Sequence, residues 1–215
     1  MENRDFMAEK NGVYREELAD GFYSETPYVN GIINGEERIY TPDGTLLWKT
    51  HYVGGVMHGE SVMFHPEGSL KYKVQYEKGL EEGVSTLYYS SGVLQQESTW
   101  VKGLLNGLEK DYYPDGSLKR VSTYVGGKKN GVSLGYFKDT PMQRISFRVS
   151  YKDGKREGEE VLYHSNGNVK RIANYIDDKV DGQVRWFDER GYLQKNFYYK
   201  KGKVVEPNKS IKRGL

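Results

Sequence analysis

Hydrophobic and polar residues alternate along most of this chain in short runs, and glycine-rich stretches separate the runs. In residues 70–76 (LKYKVQY), leucine, valine and tyrosine fill one set of alternate positions, while lysine and glutamine fill the other. A period of two is typical of β-strands that have one polar face. The helical period is weak, and only Tyr14 to Asp20 is predicted to form a turn or two of helix. The pattern therefore predicts an all-β protein.

The alternating pattern recurs every 24 residues, which identifies a tandem repeat. Position 5 of each copy is aromatic, position 11 is aliphatic, position 17 is aromatic, and position 20 is glycine except at Asp178. The fifth copy carries three extra residues around residues 139–142, and a degenerate unit precedes the array. With position 0 set at the opening glycine, about seven copies begin at Gly35, Gly59, Gly83, Gly107, Gly131, Gly158 and Gly182.

Two kinds of turn are predicted in each copy. In Pro114-Asp115-Gly116, proline sets the first φ angle and Gly116 takes the left-handed conformation of a tight hairpin turn. The stretch from Val125 to Gly131 is predicted to form a longer turn bracketed by glycines.

These features predict an all-β fold: a single elongated, twisted antiparallel sheet built from tandem 24-residue β-hairpin repeats. Residues 1–34 are assigned to an N-terminal segment with a degenerate repeat. Residues 35–203 are assigned to the array, and residues 204–215 to a basic C-terminal tail.

The repeat resembles the MORN repeat, in the variant form common in bacterial proteins. The string Tyr-x-x-Gly-x-x-x-Gly-x-x-x-x-Tyr carries the likeness, for example at Tyr124, Gly127, Gly131 and Tyr136, and it covers roughly residues 28–203. Proteins with this variant are often described as antitoxin components of toxin–antitoxin systems. The resemblance implies a hairpin-repeat fold and a binding role, while family members differ in whether they bind proteins or membranes.

The composition favours a thin sheet over a deep core. Apolar residues make up 36% of the chain, below the usual level of roughly 45–50%, whereas 26 glycines and 19 tyrosines are present. A tyrosine ring buries much area and keeps its hydroxyl near water. The aromatic residues at positions 5 and 17 are therefore predicted to pack against each other as the core of the repeat.

Candidate catalytic chemistry is weak. The chain has no cysteine, and none of the common nucleophile, phosphate-loop or zinc-protease motifs occurs. His51, His58 and His65 are evenly spaced, but strand geometry is expected to keep them apart. The adjacent carboxylates, Glu36-Glu37, Glu81-Glu82, Glu159-Glu160 and Asp177-Asp178, are expected to be solvated. The sequence thus predicts no enzyme activity, no catalytic residue, no metal site and no cofactor.

Aromatic residues outside the repeat consensus are the first candidates for contacts with a partner protein. An open sheet that leaves such rings partly exposed offers a surface for a peptide or a helix. The candidates are Trp48, Tyr72, Tyr89, Tyr113, Phe137, Phe147 and Trp186.

Basic residues form the second group of candidates. The net charge is +2, which gives no general argument for nucleic acid, yet residues 119–171 are locally basic. Equal positions of successive copies are expected to stack, so that Lys119 and Lys170, or Arg120 and Arg171, form rows. Lys128, Lys129, Lys155 and Arg156 are expected to line the long turns. Candidates for a protein partner or anionic lipid are Lys119, Arg120, Lys128, Lys129, Arg148, Lys155, Arg156, Lys170 and Arg171.

The sequence therefore predicts a non-catalytic protein-binding or scaffolding repeat protein. An antitoxin that covers a cognate toxin is the more specific form of this hypothesis. The alternative is a membrane-surface adaptor that binds anionic lipid through the basic rows. A cytoplasmic location is expected because the start of the chain is not a signal peptide, unless a leader has been removed.

Overall fold

The computed structural model describes residues 10–138, 140 and 142–207, and this part of the chain is almost entirely β-structure. It contains one three-residue 3-10 turn, Ala19–Gly21, and twenty strands. The strands are β1 (Gly12–Glu17), β2 (Tyr23–Val29), β3 (Ile32–Ile33), β4 (Gly35–Tyr40), β5 (Leu46–Val53), β6 (Val56–Phe64), β7 (Leu70–Glu77), β8 (Leu80–Tyr88), β9 (Leu94–Val101), β10 (Leu104–Tyr112), β11 (Leu118–Val125), β12 (Lys128–Lys129), β13 (Gly131–Tyr136), β14 (Ile145–Lys152), β15 (Lys155–Tyr163), β16 (Val169–Ile176), β17 (Lys179–Val180), β18 (Gly182–Phe187), β19 (Leu193–Lys200) and β20 (Lys203–Pro207).

The chain divides into two compact units. Residues up to 95, together with 99–104, form the first unit, and residues 96–98 with those from 105 onward form the second. Each unit is an antiparallel sheet in which strands that follow one another along the chain pair as hairpins. The predicted fold class, an all-β antiparallel sheet of tandem hairpins, is confirmed.

One repeat shows how the sequence sets the register of a hairpin. In β6 and β7, Gly59 faces Tyr76 and Phe64 faces Leu70, with a register shift between Met63 and Phe64. A bulge therefore separates the pair at positions 5 and 11 from the rest of the ladder. The turn beyond it closes through bonds between the backbone of His65 and that of the residues up to Ser69.

The tight turns follow their sequence signal, and the predicted long turns do not exist. Gly116 has a φ of 84°, which confirms its left-handed conformation. After β11, however, Val125 pairs with Lys128, so the connection is only Gly126-Gly127, with φ of 54° and 79°. Two positive φ angles are typical of a type I′ hairpin turn. The prediction of a turn reaching Gly131 was wrong because this glycine, with φ of 100°, lies in β13 and faces Tyr151.

Two irregular segments also differ from expectation. The residues predicted to begin a helix at Tyr14 lie in β1, which pairs with β2, and only the 3-10 turn is helical. The helical prediction was wrong because residues 12–17 form a strand whose backbone pairs with β2. In the fifth copy, Tyr136 pairs with Ile145, and the backbone of Phe137 donates to Arg144 at 2.9 Å, so the insert leaves the flanking register intact. Asp139, Pro141 and residues 208–215 of the predicted tail lie outside the described residues.

A recurring backbone bond, here called the hook, joins each hairpin to the one before it. The N–H at position 20 donates to the carbonyl at position 22 of the preceding copy, as from Gly79 to Met57 at 2.8 Å. A Cβ on Gly79 would come within 3.3 Å of Val56 Cγ1, so glycine suits this close approach. Other hooks run from Gly55 to Ile33, from Gly127 to Leu105, from Gly154 to Lys129 and from Gly202 to Val180.

Asp178, which replaces glycine at position 20 of the sixth copy, keeps the hook and adds to it. Its N–H donates to the carbonyl of Arg156 at 3.1 Å, and its φ is 64°. Its carboxylate accepts from the Arg156 backbone N–H at 2.9 Å and from Nε of the same residue at 3.2 Å. These bonds lower the pKa of Asp178. Aspartate therefore replaces glycine here without loss of the hook, and its side chain adds two hydrogen bonds to Arg156.

Gly116→Ala should destabilise the protein by about 1–2 kcal/mol, because a Cβ is strained in the left-handed region. Gly116→Asn is the matched control and should cost less, since asparagine tolerates this conformation. Urea unfolding of the three proteins measures the difference. Equal stability of the alanine variant and the wild type would contradict the turn geometry.

Candidate functional site

One face of the hairpins, here called the ring face, carries the residues at positions 2, 13, 15 and 17. Position 15 faces position 2 across the hairpin, as Val74 faces Ser61, and position 17 faces the opening glycine. The residues at positions 2 and 15 form a central row that is buried in each unit. In the first unit the row includes Thr26, Thr50, Ser61, Val74 and Ser85, and in the second it includes Ser98, Glu109, Ser122, Ser133, Val149, Glu160, Ala173 and Val184.

Aromatic side chains cover the central row of the first unit. The indole N–H of Trp48 donates to Ser61 Oγ at 2.9 Å, and that of Trp100 donates to Ser85 Oγ at 2.9 Å. Ser61 Oγ also bonds Thr50 Oγ1 at 2.6 Å. Small hydroxyl residues therefore lie beneath the large rings and satisfy the indole donors, which a buried ring requires.

The prediction that the rings at positions 5 and 17 pack together is wrong, because they lie on opposite faces. At position 17, Tyr175 donates its hydroxyl to Glu160, a position-2 residue, at 3.4 Å. At position 5, Tyr40 donates to Glu25 at 3.1 Å, and Glu25 faces Arg38, a position-3 residue. Successive strand residues point to opposite faces, so positions 2 and 3 separate the two sets of rings.

The opposite face is held by ion pairs between neighbouring strands. Lys110 Nζ lies 2.9 Å from Glu97, and Arg148 lies 2.6 Å from Glu159. Lys73 pairs in the same way with Glu60. This face fits the expected polar side of the sheet, and its exposed pairs each contribute little to stability.

Two of the seven aromatic candidates, Trp48 and Tyr72, lie on the ring face of the first unit and are half-buried. The Tyr72 hydroxyl donates to Glu81 Oε1 at 3.1 Å. Burial raises the pKa of Tyr72 to about 12, and Glu81 adds to the rise. The phenol therefore stays protonated and acts as a fixed donor, while part of its ring faces outward.

Position-6 candidates occupy a turn and not the ring face. The Tyr113 hydroxyl donates to the carbonyl of Tyr136, in the next copy, at 3.0 Å. Histidines at this position make the equivalent contact, from His65 to the Tyr88 carbonyl and from His164 to that of Phe187. Tyr113 thus ties copies together. Tyr89 and Phe137 occupy the same position in their own copies.

The remaining aromatic candidates pack within the second unit. The ring of Phe147 lies across Gly135, where an added Cβ would overlap it. Trp186 makes an edge-to-face contact with Phe197 at 5.8 Å, and the guanidinium of Arg171 lies 5.5 Å from its ring centre. The absence of a side chain at Gly135 is therefore the reason that Phe147 fits on this face.

Five of the nine basic candidates are paired with carboxylates. Arg120 lies 2.7 Å from Asp111 and 3.2 Å from buried Glu109. Arg171 pairs with buried Glu160, and Tyr175 joins that pair just as Tyr124 joins Glu109 at 3.3 Å. The other paired candidates are Arg148 with Glu159, Lys155 with Asp177, and Arg156 with Glu160 and Asp178.

The predicted placement of four basic candidates on long turns is wrong. Lys128 and Lys129 form β12, while Lys155 and Arg156 open β15, because the turns before them have only two residues. Lys119 and Lys170 are exposed on their strands. Between these two copies, positions 12 and 13 are Ser146 and Phe147, so neither expected row of basic residues is continuous.

His65 and several of the adjacent carboxylates are engaged in structural contacts, whereas His51 and His58 are exposed. Glu36 pairs with Arg38, Glu37 accepts from Thr26 at 3.1 Å, and Glu82 accepts from the backbone of Lys102 at 2.8 Å. Among the described residues, no group of three or more His, Asp or Glu is placed to hold a metal ion. In the same part of the chain no helix is long and apolar enough to cross a membrane.

Sequence reasoning missed the central row, although a signal for it was present. Serine or threonine recurs at positions 2 and 15, for example at Thr50, Ser61, Ser85, Ser98 and Ser122. These hydroxyl residues are buried, and the indoles of Trp48 and Trp100 donate to two of them, Ser61 and Ser85. Among the position-17 rings assigned to a core, Tyr175 is buried with Ala173 and Val184, and Tyr199 packs against that cluster. Trp100, at the same position, is half-buried.

Gly135→Ala should cost on the order of 1–3 kcal/mol, because the Phe147 ring must move to admit the new methyl group. The same substitution in a Phe147→Ala background is the matched control and should be nearly neutral. Urea unfolding of the four proteins gives the coupling energy between the two sites. Equal costs in both backgrounds would exclude the contact.

The raised pKa of Tyr72 predicts a stability change at alkaline pH. Its contribution is fully present below the unfolded-state pKa of about 10 and is lost as pH rises toward the folded-state value of about 12. At pH 11, Tyr72→Phe should leave the phenolate absorbance of the folded protein nearly unchanged. In guanidinium chloride, the control state, the same substitution should remove the signal of one ionised tyrosine. Loss of that signal from the folded protein would contradict the burial of Tyr72.

Comparison with known proteins agrees with this hairpin architecture. The family model described as MORN repeat variant matches residues 57–78, 81–102, 105–125 and 156–177. Each matched segment contains one tight-turn hairpin, such as β6 with β7 or β15 with β16. No curated protein sequence matches the chain significantly. The repeated hairpins and these four tandem matches place the chain in the MORN repeat family.

Proposed function

We propose that this MORN-repeat chain is a non-catalytic binding protein and that the ring face of its first unit contacts a protein partner. The observation that carries the proposal is the set of half-buried rings above the central row. Trp48, Tyr72, Tyr76 and Trp100 are all half-buried. Large, rigid aromatic side chains of this kind are enriched among the residues that dominate binding energy at protein interfaces.

Internal hydrogen bonds prepare these rings for binding. The indole donors of Trp48 and Trp100 are satisfied by Ser61 and Ser85, and the Tyr72 hydroxyl is satisfied by Glu81. A partner can therefore cover the rings without leaving these polar groups unpaired. Since their positions are fixed before binding, less side-chain entropy is lost.

The arrangement of ionisable groups supports a non-catalytic role. General acid–base catalysis requires a group that can reach substrate with suitable protonation. The adjacent carboxylates described above instead accept hydrogen bonds or pair with arginine and lysine, and His65 and His164 contact backbone carbonyls. A protein with such a surface acts by covering part of its partner, and no covalent step is required.

A cognate toxin is the more specific form of the proposed partner. Its support is the resemblance of the repeat to variant repeats in bacterial proteins described as antitoxins. An antitoxin of this kind would act by occluding the active surface of the toxin. It would act where the toxin is made, so this form of the proposal places the chain in the cytoplasm.

Anionic lipid is the weaker candidate because the basic surface is largely neutralised. Five of the nine basic candidates, Arg120, Arg148, Lys155, Arg156 and Arg171, pair with carboxylates. Membrane attraction by basic residues is worth about 1 kcal/mol for each uncompensated charge. Lys119 and Lys170 are exposed and best test this alternative.

The proposal is tested by capture of a partner with the full chain, followed by measurement of its affinity for defined variants. Trp48→Ala and Tyr72→Ala should each weaken binding at least tenfold, the loss expected for an aromatic anchor. Tyr198→Ala is the matched control, because Tyr198 is 53% exposed and lies outside the ring face. Circular dichroism and melting establish that each variant remains folded.

A parallel assay uses vesicles that contain phosphatidylserine. If the ring variants bind the partner like the wild type, the proposed surface is wrong. If, in addition, vesicle binding is strong and is lost in Lys119→Gln/Lys170→Gln, the lipid-adaptor alternative replaces it.

A further inference from the structure

A half-buried lysine on the ring face of the second unit lacks the carboxylate that its counterpart in the next copy has. Lys129 lies in β12 and faces Tyr124 across the ladder. Its Nζ lies 6.0 Å from the ring centre of Tyr124 and 5.3 Å from that of Tyr151. The ammonium is thus placed between two rings from successive copies, each of which attracts it weakly.

No oxygen in the described part of the chain accepts a hydrogen bond from the Lys129 ammonium. A lysine carries three N–H donors and loses solvation when it is partly buried. The arginines of this face differ, since Arg120, Arg156 and Arg171 all contact carboxylates. Burial lowers the pKa of Lys129, and the charge of Arg120 lowers it further, against smaller opposing effects of Glu109 and Asp111.

The counterpart of Lys129 in the next copy is Arg156, and both residues receive a hook at their carbonyl. The hook comes from Gly154 in the case of Lys129 and from Asp178 in the case of Arg156. Both side chains also lie over a tyrosine, since the Arg156 guanidinium is 4.1 Å from the ring centre of Tyr175. The two sites are therefore built on the same backbone frame.

The two sites differ in their anion. Asp178 supplies a carboxylate to Arg156, with an N–O distance of 3.2 Å. Gly154, at the equivalent place beside Lys129, has no side chain to offer. A Cβ on Gly154 would lie 3.8 Å from Lys128 Cβ, an ordinary contact distance, so space is present for a carboxylate from elsewhere. The structure of one copy thus shows which chemical group the other copy lacks.

Two further donors lie near this cation. Arg120 Nε is buried and has no hydrogen-bond partner, while its NH2 group contacts Glu109 and Asp111. The second donor is the hydroxyl of Tyr151, whose ring centre lies 5.3 Å from the Lys129 ammonium. Both residues add donor groups around Lys129.

We propose that Lys129 binds a carboxylate of an acidic peptide, with Tyr124 and Tyr151 flanking the bound group. The carboxylate takes the place beside Lys129 that Asp178 occupies beside Arg156. This site goes beyond the proposed ring-face contact of the first unit and uses none of its rings. Failure of one proposal therefore leaves the other intact.

The test measures binding of a hexaglutamate peptide to the full chain by calorimetry at low ionic strength. Lys129→Met should weaken binding at least tenfold. Lys128→Met is the matched control, because it removes the same charge from the neighbouring, exposed residue, and it should change the affinity by less than twofold. Equal losses in the two variants would show diffuse electrostatic attraction and would overturn the site.

A second variant supplies the missing carboxylate from the protein itself. Gly154→Asp places a carboxylate where the next copy has Asp178, so it should compete with the peptide and also weaken binding about tenfold. Aspartate already adopts a positive φ at position 178, which makes the substitution compatible with the turn. Wild-type affinity in a folded Gly154→Asp protein would overturn the proposal.

The site can also be tested in the wild-type protein by NMR, without any substitution that could destabilise the fold. Saturation with hexaglutamate should raise the pKa of Lys129, followed through its ε-carbon NMR signal, because a bound anion stabilises the ammonium. An unchanged pKa at saturation would overturn the site. Inorganic phosphate serves as the comparison ligand, and binding of phosphate without binding of the peptide would refute the carboxylate assignment.

Discussion

Coverage of small residues by rings from the same face is the interaction on which the hairpins depend. In neither unit does a helix pack on the described strands, so a side chain is buried only where other strand residues reach over it. Ser61 and Ser85 are small enough to lie beneath Trp48 and Trp100, and their hydroxyls accept the indole protons. A larger residue in place of Ser61 or Ser85 would lift the indole above it, whereas an alanine would leave the indole donor unpaired. The same aromatic residues therefore cover the core on one side and form the proposed binding surface on the other.

The fold was predictable because glycine, proline and aromatic residues report directly on local backbone geometry. The spacing of the copies and the left-handed Gly116 were read correctly from sequence. The long turns were not, because Gly131 in a bulged strand looks the same in sequence as a glycine in a loop. The bulge next to the pair at positions 5 and 11 likewise changes which residues share a face, and no composition argument reveals it. Assigning residues to the wrong face matters here because no second layer covers the sheet, so the face on which a ring lies decides whether the ring is exposed.

Candidate sites were less predictable because charge and exposure depend on neighbours that are distant in sequence. Arg120 and Arg171 were identified as part of a basic surface, yet each lies against a buried glutamate on the preceding strand. Their charges stabilise the ring face and are not free to attract lipid. Lys129 was one of nine equivalent candidates, and only the pairing of β11 with β12 distinguishes it from Lys128. The sequence identifies the basic residues, and only the strand register shows which of them are paired with carboxylates and which are not.

The hook has a consequence for how such a chain can evolve. Each copy donates at position 20, and each copy that is followed by another accepts at position 22, so successive copies carry complementary backbone groups. Deletion or duplication of one whole 24-residue unit would reunite the same groups at the new junction. Unequal recombination within the gene can thus change the number of copies without requiring new junction contacts. Each added copy would also bring another set of ring-face positions, so the length of the proposed binding surface can be selected in steps of one hairpin.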